Sequence, residues 1–462
     1  MRVFASNHNR SAIYKKIVNL FFLFNLLSPL IANSSNFTAS VFYESEYSDN
    51  IDKAPSNALK ESTSNVGFGF GFAAESVRYQ YQGGYDFTYV DYLYNSSDDE
   101  FQSSGNLSAT FELIEDILSW SANHTQTYIV TDRRSSDARD NRERFSTLVF
   151  GPTFNLLEQF NPAGVNTLTV TTQYAATGLQ GTDAANSKRG IVNVTWTPFF
   201  SRLTSYPVSV EYNNVKFDDE SNDYEFFRYS VGLKRILKQG NFGVDIGLNK
   251  TKPKNNNSLN GGEQDDEEAF INTFLQNNWQ WGRNTINLNV SRKLTDSTFG
   301  LADVDSNSDI TGIGSSSSLE SAGGNLIVQD FVDRKDINIG YRYFFDVDSL
   351  SLRLIWYNED YQVEPADQSS ILFGTTYNMV ISRRSSLNFS TTAERVDFKD
   401  DESVDEETTY DMGVGYSYTY PLTSKLDLGL AVNYERRLSY GSVSPRHYEE
   451  TSGALSLRYT PL

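Results

Sequence analysis

The chain of 462 residues has no cysteine and only three histidines. Without cysteine it can form neither a disulfide framework nor a thiolate metal site or nucleophile. Beyond residue 34 the sequence also has nothing close to the roughly eighteen consecutive apolar residues that a membrane-spanning helix requires. Any membrane crossing by the mature chain must therefore use strands, because inside a bilayer only helices and closed barrels satisfy every backbone polar group.

Positive charge is scarce as well. Lysine and arginine number 39 against 59 aspartates and glutamates, which leaves a net charge of -20 at pH 7. Binding to nucleic acid depends on basic residues that neutralise phosphates. A chain this acidic is therefore not expected to bind nucleic acid.

The N-terminus has the features of a secretory signal peptide. Arg10, Lys15 and Lys16 precede an apolar stretch at 17–27, and residues 32–34 provide a cleavage site. The apolar stretch is too short to span a bilayer as a helix. We therefore predict a signal peptide at 1–34 and one domain at 35–462, with an uncleaved membrane anchor as the alternative.

Aromatic residues, in contrast, are abundant, with 28 tyrosines and 31 phenylalanines that recur at alternate positions. The segment VGFGFGF places Val66, Phe68, Phe70 and Phe72 on one face of a strand and glycines on the other. A phosphate-binding glycine loop would lead directly into a helix, whereas another alternating stretch follows here. We expect the aromatic face to contact lipid and the glycine face to line a lumen, as a site of strong wall curvature or a groove for an inward-folded loop.

The alternation continues through the chain, and the connections alternate in length. Short links such as 237–239 and 282–284 alternate with long polar ones such as 48–57 and 132–144. Counted from a periplasmic N-terminus, long loops follow odd strands and short turns follow even strands, as in outer-membrane barrels. The sequence therefore predicts an all-β fold, a transmembrane antiparallel up-and-down β-barrel of about 20 strands (roughly 18–20), each of about 9–11 residues.

Such a wall would be roughly 40 Å across, too wide for side chains alone to fill, so the lumen is expected to be water-filled or plugged. A secreted propeller or sandwich, with shorter strands and aliphatic cores, is the alternative fold. One strand departs from the pattern, because Trp279 and Trp281 are out of phase with Phe270 and Phe274. A β-bulge or a change of register would account for this difference.

His124 is the only histidine placed in a predicted strand, beside Ser119, Ser121 and Asn123. Some outer-membrane hydrolases use a histidine with a serine or aspartate near the barrel rim. No nucleophile motif lies nearby, so an ordinary wall histidine is the simpler interpretation. The sequence predicts no catalytic residue and no enzyme, with an outer-membrane hydrolase as an alternative.

The segment DVDSNSD spaces four oxygen ligands two residues apart, at Asp303, Asp305, Asn307 and Asp309, as calcium loops do. It lacks the turn glycine and the closing glutamate of an EF-hand, so a solvated loop is the alternative, and no other cofactor is predicted. Acidic runs at 98–100, 265–268 and 400–407 are expected to be hydrated loop tips or to bind divalent cations that bridge lipopolysaccharide. The longest external loop, 297–336, either folds into the lumen or lies outside.

Three segments carry a resemblance to a known family: SDNI at 48–51, GNLIVQDFVDRKDINIGYRY at 324–343 and LSLRLIWYNEDYQV at 350–363. They are similar to outer-membrane β-barrel proteins associated with the PEP-CTERM/exosortase system, which occur alongside exopolysaccharide biosynthesis and export genes. The resemblance implies a role in surface polysaccharide export or envelope assembly and supplies no catalytic residues. The chain departs from the usual C-terminal aromatic by ending in RYTPL, where Tyr459 lies in the outward phase.

Together these observations predict a pore or scaffold in the outer membrane of a Gram-negative bacterium. Its expected partners are outer-membrane lipid and lipopolysaccharide, the barrel assembly machinery and polysaccharide export components. A plugged adhesin or receptor barrel is the remaining alternative.

Overall fold

The computed structural model describes residues 36–130, 138, 141–161, 164–180, 186–218, 223–253, 269–296, 331–361, 367–382, 385–399, 407–441 and 446–461. Its strands are β1 (Asn36–Ser48), β2 (Glu61–Ser76), β3 (Tyr79–Tyr92), β4 (Glu100–Ile114), β5 (Leu118–Val130), β6 (Arg142–Asn161), β7 (Gly164–Leu179), β8 (Ser187–Thr197), β9 (Phe199–Ser201), β10 (Thr204–Ser205), β11 (Val208–Phe217), β12 (Tyr224–Leu237), β13 (Gly240–Pro253), β14 (Ala269–Trp281), β15 (Asn284–Asp296), β16 (Phe331–Phe344), β17 (Ser349–Tyr361), β18 (Asp367–Ser382), β19 (Ser385–Lys399), β20 (Glu407–Pro421), β21 (Leu426–Tyr440) and β22 (Tyr448–Tyr459). No helix in these residues is long and apolar enough to span a membrane.

Twenty of these strands form one closed antiparallel wall. Neighbouring wall strands pair in chain order, and β1 pairs with β22 from Val41 opposite Tyr459 to Ser48 opposite Ser452. The short strands β9 and β10 form a hairpin in the connection between β8 and β11, which pair directly with each other. The predicted all-β antiparallel barrel of twenty strands is therefore confirmed.

The connections alternate in length as predicted, which gives the barrel two unlike ends. At one end, hereafter the turn end, tight turns such as 77–78, 238–239 and 282–283 join the strands. Gly282 has φ +57°, a left-handed conformation that suits the two-residue turn between β14 and β15. The opposite end, hereafter the loop end, carries the longer connections, including 49–60 and 93–99. The one long connection at the turn end is 198–207, which contains the small hairpin.

Side chains alternate between the outer and inner faces of this wall. On β8, Val192 and Trp196 point outward and are 36% and 46% exposed, whereas Arg189 and Ile191 point inward and are 1% and 8% exposed. The outward apolar side chains form the surface that the sequence assigns to lipid. Most strands have 13–16 residues, and β6 has 20, so they are longer than the predicted 9–11. Backbone pairing thus continues past the apolar positions toward the loop end.

The strand with the predicted irregularity, β14, is regular. Its pairing with β13 runs without a shift from Gly240 opposite Trp279 to Lys250 opposite Ala269. Trp279 points outward, and Phe274 points inward between Asp245 and Ser291. The predicted bulge is therefore wrong. Phe274 lies on the lumen side and Trp279 on the outer side, so this strand carries aromatic residues on both faces without any irregularity.

Candidate functional site in the barrel lumen

The inner face of the barrel has a buried half and an exposed half. Near the loop ends of their strands, inward-pointing Ala175, Val215 and Tyr357 are 0% exposed. Near the turn end, inward-pointing Gln80 and Thr110 are exposed. The inward side chains are therefore exposed at the turn end, a part of the lumen hereafter called the vestibule, and buried toward the loop end.

Amide side chains line a continuous part of this vestibule on three adjacent strands. In the described part of the chain they form no side-chain hydrogen bond. Each amide offers two donor hydrogens and an acceptor oxygen, so this surface can bind water or a ligand rich in hydroxyl groups. These amides are Gln276, Asn278 and Gln280 on β14, Asn287 and Asn289 on β15 and Asn338 on β16.

Deeper in the lumen, β11, β12 and β13 form a polar cluster with unpaired atoms. Asn249 is 1% exposed, and neither its amide nitrogen nor its amide oxygen has a hydrogen-bond partner. The Oδ1 atom of Asn213 and the Nε atom of Arg228 are also buried without a partner. Arg228 Nη2 lies 3.8 Å from Asp245 Oδ1 on β13. An unpaired buried polar group costs about 1–3 kcal/mol, so this cluster marks a place where water or a polar ligand is expected.

The connection between β1 and β2 reaches into the lumen. Lys53 Nζ lies 2.6 Å from Glu435 Oε2 and 3.7 Å from Glu450 Oε2, and its side chain is 9% exposed. The same ammonium lies 5.6 Å from the ring centroid of Tyr448, and Ser48 Oγ donates to Glu450 Oε1 at 2.6 Å. The sequence left open whether loop 297–336 folds into the lumen or lies outside. Residues 297–330 lie outside the described residues, and residues 331–336 belong to β16 rather than to a loop.

A second charged cluster lies inside the loop end on β16, β17 and β18. Arg334 Nη1 and Glu359 Oε1 are 3.1 Å apart, and the two side chains are 7% and 0% exposed. Gln368 Nε2 donates to Glu359 Oε2 at 2.6 Å, and Tyr361 OH donates to the same oxygen at 3.4 Å. The guanidinium of Arg334 lies over the ring of Tyr357 at 5.3 Å. These contacts join three strands at the loop end of the lumen.

The glycine row of β2 faces the lumen as predicted, but it is covered. A Cβ atom added to Gly67 would collide with the ring of Phe42 on β1, and one added to Gly69 would collide with the carboxylate of Asp86 on β3. The guanidinium of Arg458 on β22 lies over Phe42 at 5.0 Å and reaches within 4.0 Å of Asp86. The glycines therefore make room for side chains of the neighbouring strands, and no described loop packs on them.

The wall separates the residues that the hydrolase alternative would combine. His124 points outward, where its Nδ1 lies 2.5 Å from the hydroxyl of Tyr85. Ser119, Ser121 and Asn123 have the opposite phase and point into the lumen. This arrangement fits the wall histidine interpretation, because none of these three residues shares a face with His124.

The predicted calcium ligands Asp303, Asp305, Asn307 and Asp309 lie outside the described residues.

In the acidic run 98–100, Asp99 has a structural role that was not predicted from the sequence, because its Oδ1 accepts the backbone N–H of Tyr92 at 3.3 Å. Three other loops contain the same contact. In each, an aspartate or asparagine at the start of a strand, or directly before it, accepts a backbone N–H from the end of the preceding wall strand. The acceptors are Asn186, Asp223 and Asp367, and the donors are Leu179, Phe217 and Tyr361.

The sequence matches no protein-family model and no curated protein. The structure is similar to the siderophore receptor PirA from Acinetobacter baumannii, with a TM-score of 0.52 at 11% identity over 92% of this chain and 80% of that chain. It also aligns with OccK2 (OpdF) of Pseudomonas aeruginosa, crystallised with glucuronate, with a TM-score of 0.43 at 11% identity over 93% and 99% of the two chains. At these identities the first likeness shows the fold alone, which is that of an outer-membrane β-barrel.

Proposed function

We propose that this chain is a non-enzymatic barrel of the Gram-negative outer membrane that serves as a pore or scaffold in exopolysaccharide export or envelope assembly. The observation that carries the proposal is the set of unpaired amide side chains in the lumen, from the vestibule on β14–β16 to Asn213 and Asn249. Sugars present many hydroxyl groups, each of which can donate and accept hydrogen bonds. The resemblance of residues 324–343 and 350–363 to the PEP-CTERM/exosortase-associated barrels supports the same role.

The shape of the lumen agrees with transport outward. Short turns of such barrels face the periplasm and long loops face the exterior, so the vestibule would face the periplasm. A polysaccharide chain that enters there meets the amides of β14–β16 first and the Asn213/Asn249 cluster next. The loop containing Lys53 and the pair of Arg334 and Glu359 lie at the outer end, which has to open for passage.

A planar-bilayer recording of the full-length protein tests this proposal. We expect neutral oligosaccharides added on the turn-end side to reduce the ion current, because they occupy the amide-lined lumen. The double variant Asn213→Leu/Asn249→Leu should lose much of this response. The control is Asn277→Leu, which removes a buried unpaired amide oxygen on the outward side of β14 and should leave the response unchanged. An oligosaccharide response that is equal in all three proteins would reject the lumen cluster as the sugar contact.

A plugged receptor or adhesin is a second candidate function. It is favoured by the burial of inward side chains near the loop end, where Val215 and Tyr357 are 0% exposed. The barrel of similar fold from Acinetobacter baumannii is a siderophore receptor. A receptor of this kind should pass no steady current in the same recording and should bind its ligand from the loop-end side.

The remaining partners follow from the outer surface and the external loops. We propose that Tyr459, which is outward, 45% exposed and paired with Val41, is a contact of the barrel assembly machinery. We also propose that Asp303, Asp305, Asn307 and Asp309 form a weak calcium site in an external loop. Isothermal titration of the purified protein with calcium, before and after the substitution of Asp305 by asparagine, tests that site.

A further inference from the structure

Two arginines point into the vestibule from adjacent strands, Arg342 on β16 and Arg353 on β17. Arg342 lies opposite Ser351 and Arg353 lies opposite Gly340, so both have the inward phase of the vestibule amide Asn338. The two arginines are therefore diagonal neighbours on the inner face of the wall. Diagonal neighbours lie roughly 7–8 Å apart, which allows two long side chains to contact one ligand.

The guanidinium of Arg353 lacks an acceptor. Its Nε atom is buried without a hydrogen-bond partner, and the side chain forms no salt bridge with the described part of the chain. Arg342 donates from Nε to Ser351 Oγ at 3.2 Å, and among the described residues it has no carboxylate partner either. An arginine remains charged in a protein and carries five N–H donors. Because an unpaired buried donor is costly, an anionic acceptor is expected at this place.

Several inward arginines elsewhere have a carboxylate within 4.0 Å. These pairs are Arg334 with Glu359, Arg437 with Asp411 and Arg458 with Asp86. The surroundings of Arg342 and Arg353 are different, because the inward residues of β18 at their level are Gly374 and Thr376. The inward acid of β16, Asp336, lies about 20 Å along the strand from Arg342, toward the loop end. The described groups beside the two arginines therefore do not balance their charge.

The wall on both sides of Arg353 leaves room for a ligand. Its register partners are Gly340 on β16 and Gly374 on β18, neither of which has a side chain. A Cβ atom added to Gly340 would lie 3.8 Å from the side chain of Asn287, and one added to Gly374 would lie 4.0 Å from the carbonyl oxygen of Thr391. Both distances are loose, so a ligand can approach the backbone on either side of Arg353.

We infer that Arg342 and Arg353 bind the anionic group of an acidic sugar, a carboxylate or a phosphate, in the vestibule. The planar guanidinium group matches both anions with two parallel hydrogen bonds. The amides of Asn287 and Asn338, on β15 and β16, lie beside this site and can bind the hydroxyl groups of the same sugar. The inference rests on the proposed sugar path through the lumen and specifies its substrate class as an acidic glycan.

Isothermal titration of the detergent-solubilised full-length protein tests the site with three probes: trigalacturonate, maltotriose phosphate and neutral maltotriose. The wild type should bind at least one anionic probe roughly tenfold or more tightly than maltotriose, because hydrogen bonds to a charged group are stronger. Arg353→Gln should lose most of this difference and leave maltotriose binding unchanged. Arg353→Lys keeps the charge without the planar fork and should be intermediate. The relative affinities of the two anionic probes identify the preferred anion.

The matched control is Arg458→Gln, which removes an inward arginine that has Asp86 within 4.0 Å, and it should bind every probe within about twofold of the wild type. Without ligand, Arg353→Gln should unfold at an equal or higher urea concentration, because it removes an unpaired buried donor. Equal affinity for charged and neutral sugars, equal weakening in the control, or a loss of stability in Arg353→Gln would overturn the assignment. The proposed function is tested separately, by the response of the current to neutral oligosaccharides in the variants of Asn213 and Asn249.

Discussion

The buried pair of Arg334 and Glu359 gives the sharpest stability prediction. Replacing Glu359 with leucine removes the carboxylate that lies 3.1 Å from the guanidinium of Arg334, a side chain that is 7% exposed. Gln368 and Tyr361 also lose the oxygen that accepts their hydrogen bonds. Breaking one side of a buried ion pair costs about 3–5 kcal/mol. The equilibrium constant for folding should therefore decrease by at least about a hundredfold.

The assay is urea unfolding of the barrel in phospholipid vesicles, followed by the different gel migration of unboiled folded and unfolded protein. The double variant Arg334→Met/Glu359→Leu should recover most of the loss, because an apolar pair of similar volume replaces a buried ion pair at little or no cost. If Glu359→Leu unfolds at the same urea concentration as the wild type, or if the double variant is no more stable than the single one, the assignment of a buried and desolvated pair is wrong.

Two other predictions concern the wall and the lumen. A Cβ atom at Gly151 would collide with the backbone carbonyl oxygen of Thr172, so Gly151→Ala should cost about 1–3 kcal/mol in the same urea assay. Gly190→Ala, where nothing lies within 4 Å of the new atom, should stay within about 0.5 kcal/mol, and equal losses at both positions would contradict the close approach of β6 and β7 at Gly151. Lys53→Gln removes the contacts of loop 49–60 with Glu435 and Glu450, so it should raise the open time or the conductance in planar bilayers. An unchanged current with a folded variant would show that this loop does not limit passage.

Much of the fold could be predicted because the signal is local. The phase of an alternating strand decides which side chains share a face, so VGFGFGF was sufficient to separate Phe68 and Phe70 from Gly67 and Gly69. The same alternation describes β14 correctly if its aromatic residues can lie on either face of the strand. Phe274 points inward and Trp279 points outward. The expectation of a bulge was wrong because it assumed that every aromatic residue of a barrel strand points outward.

The candidate site was much less predictable. Charged residues in the inward phase, such as Arg334 and Glu359, are a signal that could have been found, because they alternate with outward Ile337, Trp356 and Leu354. Which of them pair depends on the register between strands, and a shift of one residue moves every side chain to the other face. The unpaired state of Asn249 has no sequence signal, since it depends on what surrounds this buried side chain inside the lumen.

The sequence by itself determined the alternating faces, the number of strands and the order of long and short connections, because each of these depends on residues that are neighbours in the chain. The tertiary structure decided that the connection 49–60 contacts inward side chains of the lumen and that inward side chains near the loop end are buried. Lys53 meets Glu435 and Glu450 only because β1 pairs with β22 and closes the barrel. The contact between Lys53 and Glu435 joins residues that are 382 positions apart in the chain, and no local sequence pattern specifies it.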